Sequence, residues 1–380
     1  MTSLDVTLPK NHTNLEPHTE VLFVFPAGRV RIDEYNFREV TARMMSTNNS
    51  MAKHPDWKSL IAQYQTSHAW KSVWQLCNSF LPFFLLWYVM YLSLEVGYWL
   101  TALLSFPTAG FLVRFFIIQH DCGHGSFFKS RKANDLVGIC CSIFTWTPYH
   151  SWQRSHAIHH AHAGNLEHRG IGDIHTMTVN EYLQQSSWGK FKYRLYRNPL
   201  VLFILAPIFL FVVLYRFPTF HPTPIRRVQS SVYWTDLALL TVVGGMIWLV
   251  GLKAVLFVHG PIIVIAYSAG TWLFFIQHQF EDTYWTRDDS WDYTLAALRG
   301  SSYYRLPNIL RWFTGNIGFH HIHHLSPRIP NYLLKKCHDE NPMFRDAVVL
   351  TFRSSLNSIC LSLWDEEQKK LIGFHHLKQR

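Results

Sequence analysis

Long uncharged stretches predict four membrane-spanning segments in this chain. Between Lys71 and Arg114 the only Asp, Glu, Lys or Arg is Glu95, and between Asp236 and Glu281 it is Lys253. A transmembrane helix needs about 20 mostly apolar residues, so each stretch is long enough for two. In each stretch the single charge falls near the middle, where a helical hairpin would turn. The pattern therefore predicts two transmembrane hairpins, with spans at approximately Ser79–Leu94, Tyr98–Ile118, Leu237–Gly251 and Ala254–Ile276.

Two shorter apolar runs are predicted to lie at the membrane surface or to enter it without crossing. Pro199–Tyr215 is of borderline length, and Val137–Phe144 is shorter still. If Pro199–Tyr215 crossed the bilayer, Arg216 and the arginines after it would lie on the far side, against the positive-inside rule. Residues 1–70 are expected to form a cytosolic extension that ends in an interfacial helix. The membrane domain is expected at residues 71–380.

Composition and charge agree with a membrane protein. The chain has 380 residues, of which 48% are hydrophobic and 16% charged, whereas about a quarter are charged in soluble domains. The net charge is +10, but the basic residues gather in the loop after the first hairpin and are almost lacking from the far-side turns. This distribution favours membrane topology over nucleic-acid binding and places that loop in the cytoplasm. The six cysteines lack paired spacing, so reduced thiols are expected.

Three histidine clusters carry the candidate chemistry. They read HDCGH from His120, HAIHH from His156 and HHIHH from His320. Helical residues at i, i+3 and i+4 share one face, so each cluster presents several imidazoles on the same side, as a metal ion requires. The side chains are too many for one ion and suit two. A further histidine, His278, ends the last predicted span, whereas His259 within that span is expected to be a packed residue.

The identity of the metal stays open at this point, because imidazole suits iron, copper, nickel and zinc. Carboxylates near the clusters are predicted to accept hydrogen bonds from the ligating imidazoles and so to fix their orientation. These carboxylates are Asp121, Asp173, Glu281 and Asp282.

The sequence around the clusters resembles that of the membrane fatty-acid desaturases and, within that family, of the acyl-lipid branch of delta-12 (omega-6) type. The resemblance covers about residues 70–370 and rests on several segments taken together. They are HDCGHGSFF from His120, WQRSH from Trp152, GNLEHRGIGDIHT from Gly164, FFIQHQFEDTYW from Phe274 and NIGFHHIHHLSPRIPNY from Asn316.

The resemblance implies an all-α integral membrane protein with a cytosolic helical cap that holds two iron ions. The implied iron ligands are His120, His124, His156, His159, His160, His278, His320, His323 and His324. Related acyl-CoA enzymes carry an Asn four residues before the extra histidine, where this chain has Phe274, and Gln277 is a candidate replacement. His162, His168 and His321 fall outside the implied ligand set.

The implied reaction removes two hydrogens from adjacent carbons of an acyl chain, with O2 as oxidant and a cis double bond as product. The substrate is expected to be a monounsaturated acyl-lipid, in the inner membrane of a bacterium with the site on the cytoplasmic side. No haem, flavin or iron–sulfur motif is found, so electrons are expected from a separate ferredoxin or cytochrome b5. Two alternatives stay open: a di-iron lipid or carotenoid hydroxylase or ketolase, and a histidine-rich metal transporter.

Overall fold

The computed structural model describes residues 57–220 and 225–379, which are mainly helical. The helices are α1 Trp57–Ala62, α2 Ala69–Ser93, α3 Tyr98–His124, α4 Arg131–Thr145, α5 Tyr149–His162, α6 Val179–Gln184, α7 Ser187–Tyr196, α8 Ala206–Val212, α9 Arg226–Ala254, α10 Gly260–His278, α11 Tyr293–Arg299, α12 Asn308–Phe313, α13 His320–Leu325, α14 Asn331–Glu340 and α15 Phe352–Ser355. Single π-helical turns, Val201–Leu205 and Val255–His259, precede α8 and α10. Short 3-10 turns lie at Leu214–Arg216, Pro218–Phe220, Asp288–Ser290, Pro342–Phe344, Leu356–Cys360 and Phe374–Gln379.

Among the described residues, five short strands tie the C-terminal segment to loops near the histidine clusters. They are β1 Met177–Thr178, β2 Tyr303–Arg305, β3 Val349–Thr351, β4 Leu363–Asp365 and β5 Lys370–Ile372. Strand β4 lies between β1, to which it is parallel, and β5, to which it is antiparallel. Strands β2 and β3 form a separate parallel pair, with Tyr303 opposite Val349.

The first predicted hairpin consists of α2 and α3, which pack against each other and reverse direction at Gly97. Near the turn the hydroxyls of Ser93 and Thr101 lie 2.7 Å apart, so both polar groups are paired inside the apolar contact. Helix α3 does not stop at the predicted end of its span. It continues to His124 and so carries the first histidine cluster on the same rigid helix.

The second apolar stretch is a run of 53 helical residues, Arg226–His278, that is interrupted by a kink at Gly251. A straight helix of that length would measure about 80 Å, against about 30 Å for the hydrocarbon core. Gly251 has φ 83° and ψ 152°, a conformation that glycine adopts without steric cost.

Contacts on both sides of Gly251 show that the helical run is bent there. Asp236 in α9 pairs with Arg216 at 2.6 Å, and Arg216 also donates to the carbonyl of Trp146. On the other side of the turn, the ring of His259 lies 5.9 Å from that of Trp146. Residues 236 and 259 of a straight helix would be about 35 Å apart, so the chain bends sharply at Gly251, between α9 and α10.

By length and composition, three helices among the described residues could cross a membrane: Ala69–Ser93, Tyr98–His124 and Arg226–His278. The predicted surface run 199–215 forms, with α7, a pair of helical segments bent by 63° that passes the same test when taken together. The predicted run Val137–Phe144 lies within α4, where Leu136 and Ile139 are exposed and Cys141 is buried.

Helix α1 lies in the segment that the sequence predicts to end in an interfacial helix. Residues 1–56 lie outside the described part of the chain. Helix α1 buries Trp57 and Ile61 in a cluster with Leu333 and Leu334 of α14. Trp57 and Ile61, four residues apart, therefore face the helices around the third histidine cluster.

Candidate metal centre

Four helix segments deliver the candidate ligands. His120 and His124 lie one turn apart at the end of α3, and His278 is the last residue of α10. The second and third clusters lie on α5 and α13, which are short helices outside the long apolar ones. His120 and His124, His156 and His160, and His320 and His324 are each four residues apart, so the two rings of each pair lie on the same face of their helix.

The nine histidines predicted as ligands come together in two groups. The first group consists of His120, His124, His156, His160 and His323. The second consists of His159, His278, His320 and His324. Within each group, one ring nitrogen per histidine lies within 4.8 Å of the corresponding atoms of the others. Two helices contribute to both groups, since α5 and α13 each send adjacent histidines in different directions.

The spacing of the ring nitrogens suits metal ions of first-row size. In the second group the Nε2 atom of His278 lies 3.2 Å from Nε2 of His159 and 2.9 Å from Nε2 of His320. In the first group Nε2 of His160 lies 3.1 Å from Nε2 of His156 and 3.0 Å from Nε2 of His323. Two imidazoles bound at about 2.1 Å and at right angles would hold their nitrogens about 3.0 Å apart.

Unpaired nitrogens in each group also point to an ion. Nε2 of His124 in the first group and Nε2 of His324 in the second are buried without a hydrogen-bond partner among the described residues. A buried polar atom without a partner is costly, and coordination would satisfy both. Burial, followed by the neighbouring histidines, lowers the pKa of His156, His160, His323 and His324 well below the ordinary value. These rings are therefore neutral near pH 7, the form that binds metals.

Hydrogen bonds from the far side of several rings fix their orientation. Nδ1 of His159 is hydrogen-bonded to the carboxylate of Asp173, as predicted. Nδ1 of His278 donates to the carbonyl oxygen of Gly300 at 3.0 Å. Asp121 lies 3.4 Å from Nδ1 of His120, and its other oxygen accepts hydrogen bonds from the backbone and side chain of Asn331, at 2.7 and 2.8 Å.

Three of the predicted outer partners lie elsewhere. The Glu281 side chain is 60% exposed and pairs with Lys370, and Asp282 is also exposed, so neither carboxylate supports a histidine. The chain leaves α10 directly after His278, which turns these acids towards solvent. Gln277 is buried, but its amide donates to the carbonyl of Ile317 at 3.1 Å. It therefore ties α10 to the segment that precedes the third cluster.

The histidines outside the implied set lie outside both groups. His162 is hydrogen-bonded to the carbonyl of Ile158, and His168 to Asp288. His321, although fully buried, faces His338 on the opposite side of α13 from the two groups. Burial lowers its pKa to about 3. His259 is buried at the Trp146 ring, as expected for a packed residue.

Some residues around the centre carry no signal in the sequence. Gly300 acts through its carbonyl, and Asn331 lies 210 positions from Asp121. Arg114 is buried between Ser79 and the ring of Trp312. Its guanidinium group donates to the Ser79 hydroxyl and to the carbonyl of Trp312 and thereby joins the first hairpin to the segment before the third cluster.

Comparison with known proteins identifies the family. Residues 97–355 match the family model described as fatty acid desaturase. The chain belongs to the fatty acid desaturase family and is an oxidoreductase that introduces double bonds into acyl chains. The histidine clusters and apolar helices that suggested this family therefore occur in one of its members.

Individual relatives come from bacteria and plants. A "Fatty acid desaturase" of Bacillus subtilis is 45% identical over 318 residues, covering 84% of this chain and 90% of that protein. An "sn-1 acyl-lipid omega-3 desaturase (ferredoxin)" of Synechocystis is 30% identical, covering 58% of this chain and 61% of that protein. An endoplasmic reticulum "Acyl-lipid omega-3 desaturase (cytochrome b5)" of Arabidopsis thaliana is also 30% identical, with 58% of each chain covered.

Proposed function

We propose that each histidine group holds one iron ion and that the pair serves the desaturation of a monounsaturated acyl chain carried by a membrane lipid. The observation that carries the proposal is the convergence of nine histidines, from four separate segments, into two groups of ligand atoms. Five nitrogens would surround the first ion and four the second. We likewise infer that all nine histidines are metal ligands and that residues 71–380 form the desaturase domain.

Iron, when bound, supplies the redox chemistry with O2 that unactivated methylene groups require, since no side chain can remove their hydrogens. The chain itself contributes position. Asp173 and the Gly300 carbonyl hold His159 and His278 in the tautomer that presents Nε2 to the ion. The ring of Phe274 lies 5.1 Å from that of His159 and 5.5 Å from that of His278. It forms an apolar wall for an acyl chain beside the second group.

The turn at Gly97 and the sharp bend at Gly251 support our inference of four spans and a cytosolic cap. Helices α2 and α9 run towards the turns at Gly97 and Gly251, and α3 and α10 run back to end at histidines. The histidine groups and the basic residues at the starts of α2, α4 and α9 then share one side of the bilayer. The positive-inside rule makes that side the cytoplasm, which in a bacterium is the inner face of the cytoplasmic membrane.

The substrate and the electron donor are inferred from chemistry and from the named relatives. Relatives acting on acyl-lipids support an acyl-lipid substrate, and their named donors are ferredoxin and cytochrome b5. We therefore infer an external carrier of one of these kinds. Such carriers would be attracted electrostatically to the basic cytoplasmic surface.

Expression in a host that lacks polyunsaturated fatty acids, followed by fatty-acid methyl ester analysis, tests the proposal. A new diene derived from an existing monoene is expected. His323→Ala in the first group and His159→Ala in the second should each abolish the product while the protein stays in the membrane. His162→Ala, one turn from Ile158 and outside both groups, is the matched control and should retain activity.

Two results would contradict parts of the proposal. An oxygen-containing product in place of a diene would assign hydroxylase chemistry to the same groups. Activity retained in His323→Ala and His159→Ala, or purified protein without about two irons per chain, would remove the ligand assignment.

A further inference from the structure

A second feature of the membrane-facing region lies apart from the histidine groups. An open pocket of about 510 Å³ separates the start of α2 from the start of α4. Its lining includes Ser67, His68 and Trp70 on one side and Phe128, Lys129 and Ser130 on the other. No carboxylate lines this pocket among the described residues, so its polar groups are donors and a cation.

Two helices of 25 and 15 residues present their N-terminal ends near the pocket. The first N–H groups of a helix have no acceptor inside the helix and carry partial positive charge. The N-cap residue of α2, His68, places no side-chain acceptor on them. The Lys71 N–H donates to the carbonyl of His68, so the N–H groups of Ala69 and Trp70 remain available to an anion.

Two side chains of the pocket support an anionic ligand independently of the helix ends. Ser67 is 9% exposed, and among residues 57–220 and 225–379 its hydroxyl has no hydrogen-bond partner. Lys129 is exposed and enters no ion pair with a carboxylate in the same ranges. A serine hydroxyl and an ammonium group that line one pocket can both donate to a phosphate oxygen.

Exposed tryptophans indicate the depth of the pocket. Trp70 and Trp74, in the first turns of the apolar helix α2, are 67% and 63% exposed. Tryptophans of this kind gather at the level of lipid head groups. A phosphate at this level is most readily supplied by a phospholipid.

The pocket also shares structure with the first histidine group. The backbone N–H of His68 donates to the hydroxyl of Tyr332 at 2.8 Å. The preceding residue, Asn331, donates to Asp121 beside His120. A head group held in the pocket would thus be anchored on the same framework as the metal ligands.

We propose that this pocket binds the phosphate of a phospholipid head group and so holds the substrate lipid for the desaturase reaction; the substrate role rests on the function proposed above. The Lys129 ammonium group and the Ser67 hydroxyl donate to the phosphate oxygens, together with the first N–H groups of α2. The acyl chain attached to the glycerol of the bound lipid would then begin at a fixed position relative to the histidine groups.

Native mass spectrometry of the purified full-length protein tests binding without any turnover. The protein is reconstituted with dioleoyl phosphatidylglycerol or with a dioleoyl galactolipid, which has the same chains and no phosphate. Lys129→Ala should lower retention of the phospholipid about fivefold and leave retention of the galactolipid unchanged. Lys192→Ala removes an equally exposed cation on α7 and is the matched control, with no effect expected. Ser67→Ala should act in the same direction as Lys129→Ala.

The outcomes separate this proposal from the desaturase function. Equal phospholipid retention by the unaltered chain, Lys129→Ala and Ser67→Ala would overturn it, whatever the activity. Displacement of the phospholipid by millimolar glycerol 1-phosphate would assign the pocket to free phosphates and overturn the lipid part. In turnover assays Lys129→Ala should raise KM for the phospholipid and leave kcat and the galactolipid reaction unchanged. Loss of product from both lipids would count against the proposed role.

Discussion

Replacement of Asp173 by alanine is the sharpest test of how the second histidine group is held. The carboxylate is hydrogen-bonded to Nδ1 of His159, and the two side chains are 10% and 2% exposed. The alanine variant leaves the Nδ1–H of His159 buried without its acceptor. An unsatisfied buried donor costs about 1–3 kcal/mol, and each 1.36 kcal/mol is about a tenfold change in an equilibrium constant. Loss of an outer partner of a metal ligand typically lowers metal affinity or activity about 10–100-fold.

We therefore expect Asp173→Ala to weaken iron binding and turnover by about 10–100-fold, and Asp173→Asn to lose less because its amide oxygen can still accept. Iron content is measured by mass spectrometry after dialysis against graded chelator, and turnover by fatty-acid methyl ester analysis. Asp282→Ala is the matched control, because the sequence predicted the same role for this exposed carboxylate. Unchanged iron retention in Asp173→Ala, or an equal loss in Asp282→Ala, would refute the reasoning.

Three further predictions concern the surrounding structure. Burial keeps the folded-state pKa of His160 and His323 below the ordinary value of about 6.5, so unfolded chains bind more protons below that pH. The free energy of unfolding of the metal-free protein should therefore be highest above about pH 6.5 and should fall as the pH is lowered further. An unfolding temperature that increases when the pH is lowered from about 7.5 to about 5.5 would contradict this. Gly251→Val should destabilise the protein by about 1–3 kcal/mol because φ is 83° there. Gly244→Ala, with open space around it, should not, and thermal unfolding of both variants decides. Asn331→Ala removes the side-chain donor to Asp121 and should increase iron loss from the first group in the chelator assay, with the exposed Asn308→Ala as control.

Periodicity and spacing predicted the parts of the fold that depend on local sequence. The first hairpin, with its turn at Gly97, and the break in the second apolar stretch, at Gly251 near Lys253, follow from single charges placed between apolar stretches. The histidine set also follows from spacing and family resemblance, because i, i+3 and i+4 positions on a helix have one geometry. Membership of the desaturase family, expected from the motifs, is confirmed by the family match.

Contacts between distant segments could not be predicted in the same way. From the sequence alone Asp173 and Asp282 cannot be told apart, because each is an acidic residue close to a predicted histidine ligand. They differ because the loop after α5 returns to His159, whereas the chain after His278 turns outwards. Which histidines share a group depends on how α5 and α13 face each other, and sequence spacing within one helix contains no information on that. The same holds for Arg114, whose partners lie in α2 and in the segment before the third cluster.

Adjacent residues of α5 serve different groups: His160 joins the first and His159 the second, and α13 repeats the arrangement with His323 and His324. Consecutive side chains of an α-helix diverge by about 100°, so the separation of the two sites is built into backbone geometry. Any shift of either helix moves donors at both sites together. The ligand positions of one group therefore cannot change without changing those of the other. We expect members of this enzyme class to differ in the residues that surround the two histidine groups more than in the distance between the groups.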